Sequence, residues 1–415
     1  MANQALFTRT KNVTVNNAGG EAFSLSDKEA LANLVCAGMM GGTFYVSASD
    51  QLDAIKSRLA KVDPSFLAKL ASYAREKGFM KDSPALILAY LAHAHPKQFK
   101  LAAPHVLTHG KMVRNFVQIC RSGQWGRTTI PRPARKLLCD WITSRTPRQL
   151  LNDSVGGEPS LADIIKMLHP KPKDASQEAL FAFLLGKPYD YAKLPSEAKE
   201  LIDFRNGKSK NLPNLDFRLL DSCPLTTEHW MQIALQMGFT AIRMNLNTFE
   251  RKGVFANEAM VAQIAAKIRN PEFVKSSKVF PFEILNTFKH ISDTVPHQIR
   301  EALQDAMEIS IQNIPEVDGQ WAVCLDVSGS MSSPVSGVRM NAKTGKRESF
   351  TSKTQYVDIA SLMAAGFLRK NPGTIILPFD TRLHTSKKLN PRDSVMTLSD
   401  QLARFGGGGT QCELP

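Results

Sequence analysis

Cysteine pairs, long apolar runs and catalytic signatures are all missing from this 415-residue sequence. Its six cysteines, Cys36, Cys120, Cys139, Cys223, Cys324 and Cys412, form no CxxC pair and keep no framework spacing. That scatter excludes a disulfide framework and fits a reducing compartment, with the thiols acting as small buried hydrophobes. The longest apolar run, around Ala85 to Ala92, is far too short to cross a bilayer. The stretch from Met1 to Gly20 is polar, so no signal peptide is read there and a cytoplasmic protein is expected. His105 and His109 have helical i,i+4 spacing, but the string His105-Val-Leu-Thr-His109 lacks the glutamate of an HExxH helix. A packed or solvated pair is the expectation there.

What the sequence does contain is positive charge. Lys and Arg number 52 against 38 Asp and Glu, a formal net charge of +14. Such a surplus favours polyanionic partners, because each phosphate neutralised by Lys or Arg releases a condensed counterion. A hydrophobic share of 43% with 22% charged residues is that of a globular protein, and the length allows two or three cores. From about Asp27 to Ile314 nearly every segment predicts helix. Leu31, Leu34 and Val35 share one helical face, as do Leu52, Ile55 and Leu59. Ser26 with Glu29 is a capping-box pattern, and Thr226-Thr227-Glu228 opens a further helix. Asp63-Pro64, Ser83-Pro84, Asn270-Pro271 and Phe280-Pro281 mark first helical turns. Short helices punctuated by Pro and Gly suggest stacked helical hairpins of the HEAT kind.

After Pro315 the texture changes. Trp321 to Leu325 reads as a short buried strand, Tyr356 to Lys370 as a helix, Thr374 to Leu377 as a second strand and Val395 to Phe405 as a second helix. This order implies a parallel α/β sheet with its functional loops at the carboxyl ends of the strands. Between the first strand and helix, Ser332 to Lys353 is rich in Lys, Arg, Ser and Gly and is expected to form an exposed hairpin or mobile loop.

The most specific string is Asp326-Val-Ser328-Gly-Ser330-Met331, directly after the first of these strands. One carboxylate and two hydroxyls at alternate positions can face a single point from a turn. That suits Mg²⁺, a hard ion that takes oxygen ligands in octahedral geometry and keeps several waters. A second loop, Gly406-Gly-Gly-Gly-Thr410, follows the next strand–helix unit and offers another hydroxyl. Together the two loops resemble the metal-ion-dependent adhesion site of von Willebrand factor A domains. The resemblance implies that Asp326, Ser328, Ser330 and Thr410 hold Mg²⁺, directly or through water. It also implies a further Asp from a third loop. Asp380 does not match that position and the sequence stops at Pro415, so a partial domain with weak ion binding is expected. Neither Ser328 nor Ser330 sits in a GxSxG elbow and no His pairs with them in sequence, which sets hydrolase chemistry aside.

Two earlier stretches concentrate cations beside a Trp or His. One runs from Gln124-Trp125-Gly126-Arg127 through Arg132, Arg135 and Lys136 to Asp140-Trp141. The other is Asp163-Ile-Ile-Lys166-Met-Leu-His169-Pro-Lys171-Pro-Lys173. Phosphate contacts and base stacking could share one surface there. Trp125 and Trp141 read more readily as core residues, whereas Arg132, Arg135 and Lys136 crowd a short Pro-interrupted segment with no acid before Asp140. These stretches, with Gly38-Met-Met-Gly-Gly42-Thr-Phe-Tyr45, Phe239 to Asn247, Phe280 to Leu285 and then Asp326 to Met331, resemble in order the Ro autoantigen (TROVE) family, its bacterial members in particular.

The resemblance implies a mainly α protein. Residues 20–315 would form a ring of HEAT-like repeats, and residues 318–415 the N-terminal part of a Rossmann-like von Willebrand factor A domain. It further implies a binder rather than an enzyme, with Arg127, Arg132, Arg135, Lys136, Lys166, His169 and Lys171 facing RNA. The implied partners are a small noncoding Y-like RNA and single-stranded 3′ ends of misfolded RNA, with an exoribonuclease or other RNA-processing protein alongside. The competing expectation is a protein-interaction scaffold that docks partners through the metal site.

Overall fold

The structure, a computed structural model, describes residues 13–15, 21–36, 38, 47–126, 128–220, 222–314, 316–335, 339–340, 347–348, 353–384 and 389–415. Met39 to Tyr45, Arg127 and most of Ser332 to Lys353 lie outside the described residues. Among the described residues the chain is mainly helical, with 19 α-helices, two short antiparallel strand pairs and one two-stranded parallel sheet. It divides into two compact units, Met1–Cys223 and Pro224–Pro415.

In the first unit, β1 (Val13–Val15) pairs antiparallel with β2 (Glu21–Phe23). Helices α1 (Asp27–Cys36), α2 (Ala48–Leu59), α3 (Pro64–Glu76), α4 (Asp82–Ala94), α5 (Pro96–Val106) and α6 (Gly110–Arg121) follow. After them come α7 (Arg132–Ser144), α8 (Pro147–Asp153), α9 (Leu161–Leu168), α10 (Ala175–Leu184) and α11 (Ser196–Arg205). The starts obey the capping chemistry. Ser26 and Glu29 bond reciprocally, and the Asp63 carboxylate accepts from the Phe66 N–H at 2.8 Å with Pro64 at the first helical position. The apolar run in α4 is the centre of this unit. Leu86, Ile87, Leu88 and Leu91 are buried because α3, α5 and α6 pack around them, which is how a short all-apolar helix is satisfied in water. Phe99 of α5 stacks on Phe116 of α6 at 5.9 Å between centroids.

The second unit opens with α12 (Thr227–Gln236), α13 (Phe239–Arg251), α14 (Glu258–Ile268), α15 (Pro271–Ser277), α16 (Pro281–His290) and α17 (His297–Ser310). It continues with β3 (Ala322–Asp326), the antiparallel pair β4 (Arg339–Met340) and β5 (Arg347–Glu348), α18 (Tyr356–Lys370), β6 (Ile375–Phe379) and α19 (Val395–Ala403). Strands β3 and β6 run parallel, in register from Ala322 opposite Ile375 to Asp326 opposite Phe379. The expected first strand is buried on one face only. Leu325 is inside, while Ala322 and Cys324 are exposed, because successive side chains point to opposite faces and α18 covers one of them.

The change of texture at 315–318 marks a change of secondary structure, and the boundary by compactness falls elsewhere, at Cys223. Several contacts hold the α/β layer against the preceding helices. Lys289 pairs with Asp358 at 2.7 Å. Glu308 takes Arg369 at 3.0 Å on one oxygen and the Val395 N–H at 2.7 Å on the other. Gly366 lies so close to Ile314 that a Cβ there would meet its Cδ1 at 2.8 Å. All six cysteines are free, but only Cys120 is the buried thiol expected; burial pushes its pKa up to about 12. Cys324 and Cys412 are exposed, one on the open sheet face and one in the final turn.

Candidate functional site

The two cationic stretches of the sequence, separate along the chain, meet in the first unit. Helix α7 opens at Pro131 with Pro133 in its first turn, and no side chain caps it. Arg132, Arg135 and Lys136 are exposed on this first turn. Helix α9 is closed at its start by a capping box, in which the Ser160 hydroxyl donates to the Asp163 carboxylate at 2.7 Å and accepts the Asp163 N–H at 3.1 Å. Those hydrogen bonds from Ser160, chiefly, hold the Asp163 carboxyl below its usual range, with Lys166 and Arg121 adding to it.

The far end of α9 is where α7 comes in. The Arg135 guanidinium donates to the Met167 carbonyl at 3.3 Å, and the Cys139 thiol points to the Leu168 carbonyl at 3.8 Å. These are carbonyls the helix leaves without an internal partner. His169 terminates α9 in the left-handed region, φ 50° and ψ 55°, and buried Pro170 prevents continuation. A non-glycine residue there costs about 1 kcal/mol. Lys166, His169 and Lys171 are all exposed. Arg132, Arg135, Lys136, Lys166, His169 and Lys171 therefore lie on and around one helix–helix contact. Arg135 divides its donors between that contact and solvent, and Arg127 lies outside the described residues.

The tryptophans of these stretches pack. Trp125 is half-buried against Tyr90 at 5.4 Å, and Trp141 lies half-buried beneath the Arg145 guanidinium at 4.5 Å. Arg145 in turn donates twice to Asp153, at 3.2 and 2.9 Å. Asp153 is a junction that the sequence did not single out. Its carboxylate also accepts the Gly110 N–H at 3.0 Å, and its carbonyl accepts from Arg114 at 2.7 Å. The only signal in the sequence was an acid ending a short helix near several arginines. His105 and His109 do not converge: His105 meets Glu76 at 2.6 Å from α5, while His109 sits beyond that helix beside Arg75 at 3.3 Å.

The loop following β3 and the glycine loop meet in the second unit. The Gly329 N–H donates to the Gly408 carbonyl at 2.8 Å, and the Gly407 N–H to the Val327 carbonyl at 3.2 Å. Gly406 has φ +101°, and a Cβ there would meet the Val327 oxygen at 1.7 Å, so no other residue fits. The Ser328 N–H donates to Asp326 Oδ1 at 2.8 Å, and the Ser328 and Ser330 hydroxyls stand 3.2 Å apart. Neighbouring ligands on an octahedral Mg²⁺, each about 2.1 Å from the ion, would be about 3 Å apart. The two hydroxyls fit such an ion by donor type and by spacing, and Asp326 fits it by donor type. Thr410 is exposed at the end of the glycine loop.

Beneath this loop pair lies Asp380, which the motif reading left unused. It is 4% exposed and accepts from the Gly408 N–H at 3.2 Å and the Arg382 N–H at 3.1 Å, with His384 Nε2 at 3.0 Å. Burial alone would raise its pKa, but these donors outweigh burial and hold the carboxyl below the usual range.

Residues 220–358, from just before α12 into the start of α18, match the family model of the TROVE domain. The RNA-binding protein RO60 of Deinococcus radiodurans is 24% identical over 439 aligned residues, which cover 96% of this chain and 79% of that protein. The chain carries a TROVE domain and is a distant homologue of Ro60. The crystal structure of the D. radiodurans RO (RSR) protein has the same fold, with a TM-score of 0.63 at 19% identity over 92% of this chain and 81% of that one. The TROVE match includes Asp326 to Ser330, and the surface formed by α7 and α9 precedes it. Among the described residues no helix is long and apolar enough to cross a membrane.

Proposed function

We propose that this chain is an RNA-binding protein and that the α7–α9 surface is its principal phosphate contact. The observation that carries the reading is the meeting of Arg132, Arg135 and Lys136 with Lys166, His169 and Lys171 around one helix–helix contact. Exposed cations on helix ends can neutralise phosphates without a backbone rearrangement, and an exposed imidazole can stack or hydrogen-bond beside them. The name of the D. radiodurans relative supports the same chemistry. The proposed ligands are a small structured noncoding RNA of the Y type and single-stranded 3′ ends of misfolded RNA, in quality control or processing with a nuclease partner. The proposed organisation is a HEAT-like helical module over residues 20–315 followed by part of a von Willebrand factor A domain over residues 318–415.

Asp326, Ser328, Ser330 and Thr410 would hold Mg²⁺ with water completing the shell, and the bound ion would supply a Lewis-acidic docking point for a carboxylate. The electrostatic reading is tested by titrating single-stranded RNA at increasing salt. Affinity should fall steeply, and Arg135→Ala with Lys136→Ala should flatten the logarithmic slope by about one unit per contact removed. Affinity that stays level from low to physiological salt would sink it.

A further inference from the structure

Away from the α7–α9 surface, a cleft of about 380 Å³ opens between α2, α4 and the end of α6. Its walls combine two chemistries. Leu52, Leu86 and Ile119 supply apolar surface, and Asp82, Asn115, Gln118 and Gln124 supply hydrogen-bonding groups. Two of the three amides are set rather than loose. Asn115 Nδ2 donates to Asp82 Oδ1 at 2.8 Å, leaving Asn115 Oδ1 and Asp82 Oδ2 as acceptors. Gln124 accepts from Lys56 Nζ at 2.5 Å, and that ammonium also lies 5.8 Å from the Trp125 ring centroid. Gln118 has no partner among the described residues and can both donate and accept.

Among the described residues no cation lines the cleft, and its one ionisable wall group is a carboxylate. A phosphate is therefore repelled from the interior, whereas a flat neutral ring carrying an amino group is matched by the apolar walls and the acceptors. Cations stand at the rim instead. Lys56 holds Gln124, and exposed Lys81 and Arg121 are the chain neighbours of Asp82 and Ser122. Arg121 also lies near enough to Asp163 of α9 to act on its carboxylate. Arg121 thus stands between the cleft and α9.

We propose that this cleft reads one amino-bearing nucleobase, adenine or cytosine, of a single strand whose neighbouring phosphates lie on the rim and continue toward α7 and α9. The amino group donates to Asp82 and Asn115, Gln118 pairs with the adjoining ring edge, and the ring lies on half-buried Leu52 and Ile119. Amide and carboxylate groups recognise these bases by the same pairings in duplex grooves. This inference rests on the RNA-binding reading and deepens it.

The test is fluorescence anisotropy of the full chain with short oligo(A), oligo(C) and oligo(U), since uracil lacks the amino group. Oligo(A) or oligo(C) should bind about tenfold more tightly than oligo(U), the size of one good base contact. Asn115→Ala combined with Gln118→Ala should erase that preference, weakening oligo(A) and oligo(C) more than oligo(U). Exposed Gln118→Ala alone should reduce the preference, which covers the case of a double variant that fails to fold. Photocrosslinking of an oligo(A) carrying 8-azidoadenine, which keeps the amino group, should place adducts between residues 115 and 124. Equal binding of the three oligomers, a preference that survives both variants, or adducts confined elsewhere would overturn the base-reading cleft. In those cases the phosphate reading still stands if Arg135→Ala weakens all three oligomers alike. If none of the oligomers binds, both readings fall together.

Discussion

The α7–α9 surface and the loop pair around Asp326 are built by opposite means. The first presents side chains outward from helix ends, and its backbone is satisfied by caps and by Arg135 reaching the Met167 carbonyl. The second brings two stretches of backbone together so closely that side chains are excluded, as at Gly406 against Val327. The difference lies in what each tolerates. An outward surface can lose one residue and keep its fold, because each exposed cation acts on its own. A close backbone contact has no such slack, since tightly packed interiors do not yield to added volume.

The sharpest way to break that comparison is Gly406→Ala. It adds a Cβ where the Val327 oxygen already lies and places it on a φ of +101°. A loss of about 4 kcal/mol in denaturant unfolding is expected, among the largest for a single methyl group. A change below 1 kcal/mol would mean that the loop relaxes easily and that its glycines serve another end.

Next comes Asp153→Ala, which leaves Arg145 and the Gly110 N–H without their shared partner in a nearly buried place. Removing one member of such a pair costs about 3 kcal/mol. Circular dichroism melting at neutral pH should show it, and the variant would reveal how far the outward surface depends on a hidden junction. Retention of wild-type stability would show that Asp153 is dispensable.

His169→Gly sharpens the comparison from the other side. Glycine accepts the left-handed conformation without strain, so the protein should gain about 1 kcal/mol while RNA affinity drops. Loss of stability would identify the imidazole as a structural residue and remove it from the proposed interface.

The smallest effect is the pH dependence of Asp163→Asn. The folded pKa of Asp163 is lowered from its ordinary value of 3.8, so its carboxylate stabilises the protein above about pH 4 and the contribution fades as pH falls through the folded value. The stability gap between wild type and variant should be open at pH 7 and should close on acidification below 4. A gap that persists unchanged at pH 3 would show that the capping contact does not depend on the charge.

Much of this was legible in residue patterns. Capping pairs and proline positions set the helix starts at Asp27, Pro64, Thr227, Pro271 and Pro281, and the helix Tyr356–Lys370 coincides with its apolar periodicity. The expected strands were found within a residue or two. What escaped the pattern were residues whose partners are distant in sequence. Asp153 and Asp380 look ordinary where they stand, and only packing brings Gly110 and Arg145 to one and Gly408 to the other. The amide cleft was equally hidden, because its walls come from three helices.

By itself the sequence determined charge, helix starts and the Asp326-Val-Ser328-Gly-Ser330 turn, since these depend on neighbouring residues and on intrinsic backbone preference. Tertiary structure alone decided which cations share a surface, which tryptophans are covered and which carboxylates are buried. Those outcomes depend on burial and on contacts between elements far apart in the chain, and a linear pattern carries no measure of either.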